Sequence, residues 1–134
     1  SAAELVSNAV GGLRIRQRIH PATKTFQGIR IAINGEMEAL AVTLPKAFRS
    51  LKPGGVLAVI SFHSLEDRMV KRFMRKMAGR PVHRWDRSVL DDRKVCAEML
   101  NTKIIIPSKE EVEANPRSRS ARLRVLRKIE QPNL

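Results

Sequence analysis

The chain is 134 residues long, enough for one compact domain with a modest core, and its apolar share of 43% is ordinary. Its charge is not: 26 Lys and Arg against 13 Asp and Glu leave a net +13, a surplus that predicts attraction to polyanions, nucleic acid first and an anionic membrane second. The longest apolar run is far too short to span a bilayer, the lone Cys96 excludes an internal disulfide and fits a reducing compartment, and no Cys/His cluster has metal-ligand spacing.

Taken in chain order, residues 3–10 carry a helical stripe, Ala3, Leu5, Val6, Ala9 and Val10, that Gly11-Gly12 terminates. Arg14 to Arg18 alternates basic and apolar residues and reads as a loop. Helical periodicity returns from about Thr23 through Phe26, Ile29, Ile33, Met37, Leu40 and Leu44, pausing near Asn34-Gly35, with Pro45 expected to kink the pattern or start a new turn. Lys52-Pro53-Gly54-Gly55 then breaks the helix, and the unbroken run Val56 to Ser61 reads as a strand buried on both faces, the habit of parallel sheets. A helix is expected over roughly Ser64 to Ala78, with Ser64 as N-cap, Glu66 and Asp67 in the first turn, and Leu65, Met69, Phe73 and Met77 as its core stripe. From Gly79 to Leu100 the pattern is lost, apart from a short helix expected near Val95. Lys103 to Ile106 reads as a short strand, Ser108 to Ala114 as a helical turn capped by Ser108 with Glu111 at the capping-box position, and Arg122 to Ile129 as a final strand with one face basic.

Several of these segments carry chemistry. His63 and Ser64 sit where the strand ends, and in open parallel sheets ligands bind beyond the carboxyl ends of strands. The competing reading is that Ser64 merely caps its helix and His63 satisfies a neighbouring carbonyl. Glu66 and Asp67 read as helix-start charges, with Arg68 either pairing with them or reaching a phosphate. In His20-Pro21-Ala22-Thr23-Lys24-Thr25, Pro21 biases His20 to an extended conformation and Thr23 can cap the following helix. His20, Lys24 and Thr25 then either face a pocket or RNA backbone, or form a hinge with Phe26 as a core anchor. Arg30 and Asn34 lie one helical turn apart and share a face, which Gln27 can join. Asn115-Pro116-Arg117-Ser118-Arg119-Ser120 reads as a loop suited to clamping phosphates, which Arg122, Arg124 and Arg127 could extend. Trp85 reads as a packing anchor, with base stacking as the alternative.

Three blocks in order carry a family resemblance: His20-Pro21-Ala22-Thr23-Lys24-Thr25-Phe26-Gln27 continuing through Arg30 to Asn34; Ile60-Ser61-Phe62-His63-Ser64-Leu65-Glu66-Asp67-Arg68 with Val70-Lys71-Arg72-Phe73; and Asn115 to Arg124. The chain resembles the MraW-type methyltransferases, which use S-adenosylmethionine to methylate the exocyclic N4 of a cytidine in small-subunit ribosomal RNA. The resemblance implies an α/β fold: the C-terminal part of a Rossmann-like methyltransferase sheet with flanking helices, its last strand antiparallel, plus the end of an inserted helical domain over residues 1–19. Residues 20–134 would then be the C-terminal half of the methyltransferase domain. The family's Gly-rich loop and acidic cofactor-binding positions have no counterpart here, so the S-adenosylmethionine site is expected mostly upstream and this stretch alone is expected to be inactive.

On this resemblance His63 and Ser64 are the candidate catalytic residues lining the target-base pocket, and His20, Lys24, Thr25, Arg30, Asn34, Arg117 and Arg119 the candidate RNA-binding set. Catalysis would align the amine and accept hydrogen bonds from its protons after the cytidine is extruded. The implied partner is small-subunit ribosomal RNA or the small subunit itself, with no membrane; the implied compartment is the cytoplasm in a bacterium and a mitochondrion or plastid in a eukaryote. The alternative is a non-catalytic RNA-binding or ribosome-assembly module derived from such an enzyme.

Overall fold

Pro21 supplies a residue already restricted to helical φ at the first position of a helix, and the chain is helical from there to Asn34 (α1). The computed structural model describes residues 2–5, 21–87 and 94–130, with residues 2–5 helical. The readings on Gly11-Gly12, Arg14 to Arg18 and His20 lie outside the described residues. Gly35, at φ 60°, breaks the helix where a side chain would be strained, and α2 runs from Glu36 to Ser50. α2 continues through Pro45, which lies inside the helix. Thr23 falls within the first turn of α1, so it is not the cap expected of it.

The chain divides into two compact units, Ser1–Ala39 and Leu40–Leu134. In the second, the Lys52-Pro53-Gly54-Gly55 turn leads into β1 (Val56–Ser61), followed by α3 (Ser64–Met77), β2 (Ala97–Met99), α4 (Lys109–Ala114), a 3-10 helix (Pro116–Ser120) and β3 (Arg122–Lys128). Gly54 adopts φ 86°, and a Cβ on Gly55 would sit 2.9 Å from the Lys52 carbonyl, so both glycines are required by the turn. The strand order is β1-β3-β2, and β3 pairs antiparallel with both neighbours, Val56 opposite Arg127 and Ser61 opposite Arg122 on one side and Ala97 opposite Lys128 on the other. The antiparallel last strand agrees with the resemblance.

The core packs Leu44, Phe48, Val70, Met74, Met77, Cys96, Ala97 and Leu126, with Phe48 and Phe73 edge-to-face at 6.0 Å. It lies on one face of the sheet. Leu57 and Val59 pack against it, whereas Val56 and Ile60 on the other face are 46% and 59% exposed. β1 is therefore not buried on both faces as its composition suggests: among the described residues, helices cover one face only, and alternation sends every second side chain out. The α3 stripe is also displaced. Val70, Met74 and Met77 are buried, Met69 and Phe73 flank them, and Leu65 is 44% exposed. Residues 94–96 are not helical, β2 was not foreseen, and the strand expected over Lys103 to Ile106 is a single bridge between Ile105 and Leu123. The Ser108 cap is present, accepting from the Glu111 N–H at 3.1 Å. Among the described residues no helix is long and apolar enough to cross a membrane.

Candidate functional site

The end of β1 is built by two interlocked hydrogen bonds. His63 has the extended backbone of an N-cap, and its Nδ1 accepts from the Glu66 N–H at 3.3 Å. Glu66 reaches back so that its Oε2 accepts from the Phe62 N–H at 3.0 Å, one residue before the N–H that a capping box engages. Ser64 is thus not the cap; it is the first helical residue and is exposed. An accepting Nδ1 puts the proton of the neutral ring on Nε2. That atom is buried, 3.2 Å from Glu66 Oε1 but without hydrogen-bond alignment. His63 is 8% exposed, so it acts on its surroundings chiefly through the helix start it caps.

One turn later Asp67 is buried against β3. Arg124 Nε and Nη2 donate to its two oxygens at 2.7 and 3.0 Å, and Arg122 Nη1 lies 3.6 Å away. The Arg124 hydrogen bonds hold the Asp67 carboxyl below its ordinary value against the opposing effect of burial, with the charges of Arg122 and Lys71 adding to them. Arg124 consequently faces inward and is no part of a phosphate patch. Lys128, 1% exposed, turns inward beside Leu126, and its Nζ donates to the Phe48 and Arg49 carbonyls at 3.0 and 3.1 Å and to that of Leu51, ending α2. Both pairings escaped the sequence reading. The signal was present: Arg122, Arg124, Leu126 and Lys128 alternate onto one strand face, so charges sharing a face with a core leucine need buried partners. Asn101 was missed too; its amide donates to the Leu123 carbonyl at 3.1 Å and accepts from the Val125 N–H at 2.7 Å, clamping the β2–α4 connection to β3.

The remaining candidates fall in two places. In the first unit Arg30 Nη2 and Asn34 Nδ2 both donate to Glu36, at 3.4 and 3.2 Å, so they do share a face. Lys24 is exposed and Thr25 half-buried, while Phe26, at 44% exposure, is not a core anchor. In the second unit the Arg117–Arg119 segment is a 3-10 helix and not an open loop. Ser118 is buried and its hydroxyl donates to the Asn115 carbonyl at 2.8 Å, which turns Arg117 and Arg119 outward, exposed and without an ion pair among the described residues. Trp85 is 76% exposed, so it is no packing anchor.

The glycine pair of the second unit does not fit a cofactor-binding loop. Gly54 and Gly55, the one glycine pair there, lie at the start of β1 and not its end. Their N–H groups are already committed, to the Lys128 carbonyl at 2.7 Å and the Lys52 carbonyl at 2.8 Å, and cannot cradle a ligand.

The profile of the MraW methylase family matches residues 1–129. Curated relatives include the ribosomal RNA small subunit methyltransferase H of Thermomicrobium roseum, 46% identical over an alignment that covers 95% of this chain and 39% of that protein. Proteins of the same name from Coprothermobacter proteolyticus and Caulobacter vibrioides are 48% and 43% identical, over 94% and 97% of this chain and 36% and 42% of theirs. The chain thus spans less than half the length of these relatives.

Proposed function

Since the chain belongs to the MraW methylase family, we propose that it is the substrate-side half of an S-adenosylmethionine-dependent enzyme methylating a cytidine N4 in small-subunit ribosomal RNA. The observation that carries this reading is the 43–48% identity to proteins named ribosomal RNA small subunit methyltransferase H. On it, residues 1–19 end an inserted helical domain, residues 20–134 belong to a Rossmann-like methyltransferase domain, and the compartment is a bacterial cytoplasm or a eukaryotic organelle. The exposed Ser64 hydroxyl lies beside the target base. His63 is a positioning residue there: it caps the helix start, from which the Glu66 carboxylate, held by the Phe62 N–H, offers an acceptor of the kind a cytosine amine needs. Lys24, Thr25, Arg30, Asn34, Arg117 and Arg119, with His20, contribute to RNA binding.

A test is to replace the matching stretch of the Thermomicrobium roseum relative by this chain and follow methyl transfer to unmethylated small subunits. The chimera is expected to be active. His63→Ala should lower its single-turnover rate more than its RNA affinity, and His63→Asn, which can still cap, should restore part of the rate. A folded chimera that binds subunits but transfers nothing would favour the second reading, a non-catalytic RNA-binding or assembly module.

Arg117→Ala with Arg119→Ala should flatten the log–log salt dependence of RNA binding by about one unit or more, since each phosphate contact on a single strand contributes about −0.7. Affinity should fall alike for unrelated sequences, because such contacts position without specifying. RNA affinity measured across a salt series, beside a thermal melt, checks this; an unchanged slope removes these arginines from the interface.

A further inference from the structure

We propose that the exposed basic face of α3 and the turn following it form a platform for single-stranded RNA, with phosphates on Arg68, Lys71 and Arg72 and a base stacked on Trp85. It deepens the reading above and rests on the chain acting on RNA. At about 100° per residue, Arg68, Lys71, Arg72 and Arg75 share one arc of α3, opposite the buried Val70, Met74 and Met77. Arg68, Lys71 and Arg72 are exposed, and Arg68 and Arg72 make no ion pair among the described residues. Between Arg68 and Arg87 the sequence holds one acidic residue, Asp86, whose carboxylate is occupied by the Val82 N–H at 2.8 Å.

The turn carries the stripe on to Trp85. Arg75, on the same arc, donates from Nε to the Pro81 carbonyl, which ties the chain after α3 back against the basic face. The Trp85 N–H donates to His83 Nδ1 at 3.3 Å and the Asp86 N–H to the His83 carbonyl at 3.0 Å, so the tryptophan stands on a hydrogen-bonded turn. Arg84 lies 5.4 Å from the ring centroid. A guanidinium lies over the ring, and the residue is still 76% exposed, which leaves surface for a base. A large exposed aromatic loses the burial that usually stabilises it, and aromatics interleaved with cations are the elements of single-strand platforms. Stacking requires a base already out of a helix, which favours single-stranded RNA over duplex. A membrane surface would need the apolar side of α3, and that side is spent on the core.

Trp85 is the only tryptophan and the chain has no tyrosine, so its emission reports this spot alone. The 134-residue chain is titrated with fluorescein-labelled oligocytidylate, reading label anisotropy and tryptophan emission together. Emission should quench in step with binding. Trp85→Ala should weaken affinity about tenfold with an unchanged salt slope, and Trp85→Phe should retain most of it. Arg68→Gln with Arg72→Gln should flatten the slope by about 0.7 for each phosphate that these arginines no longer neutralise. RNA binding with unchanged Trp85 emission and wild-type affinity for Trp85→Ala overturns the platform and leaves the RNA reading intact. No binding even at low salt overturns both. An emission response to phosphatidylglycerol vesicles with none to RNA would assign the surface to membrane instead.

Discussion

Asp67→Asn is expected to lower the unfolding free energy by about 3–5 kcal/mol at neutral pH, the cost of leaving a buried cation without its partner. Arg124 would remain inside, 7% exposed, with its fork facing a neutral amide. Urea denaturation of the variant measures the loss, and a change below about 1 kcal/mol would mean that water or Arg122 relieves the pair. Replacing both partners by apolar residues, Asp67→Leu with Arg124→Met, should recover much of the loss, because a buried ion pair stabilises little relative to packed hydrocarbon. The native pair also sets a pH dependence. A carboxyl held low in the folded state contributes fully above its unfolded value of about 3.9, and the contribution is lost as pH falls through the folded value. Wild type should therefore lose stability on acidification below about pH 4, and Asp67→Asn should flatten that limb.

Lys128→Met should cost about 2–4 kcal/mol, because three carbonyls at the end of α2 lose a charged donor while the apolar stem is kept. The ammonium also lies 5.2 Å from the Phe48 ring, and Phe48 anchors the core, so the loss should spread to α2 packing. Hydrogen exchange of the α2 amides, compared between wild type and variant, separates local fraying from global loss. Protection unchanged in α2 would show that the helix end is satisfied without the lysine.

These two residues also mark where reading the chain stops. The helix expected over roughly Ser64 to Ala78 was legible because 3.6-residue periodicity needs no partner, and the Ser108 cap was legible because its signal is local. The Asn34-Gly35 pause, the β1 span and the antiparallel final strand were reached by the same local signals or by resemblance. The family, too, was legible, carried by blocks such as Ile60 to Arg68 whose order survives without any fold.

What the tertiary structure decided is which charges face inward. Net +13 says nothing of which cations meet solvent; the pairing of Arg124 with Asp67 spans 57 positions, and that of Lys128 with Phe48 spans 80. Local pattern cannot encode a partner so far away, since the pairing exists only once β3 lies between β1 and β2. The same holds for His63 taking the cap from Ser64: the sequence by itself set a polar strand end before a helix, and the backbone's extended turn at His63 chose which side chain reaches the Glu66 N–H.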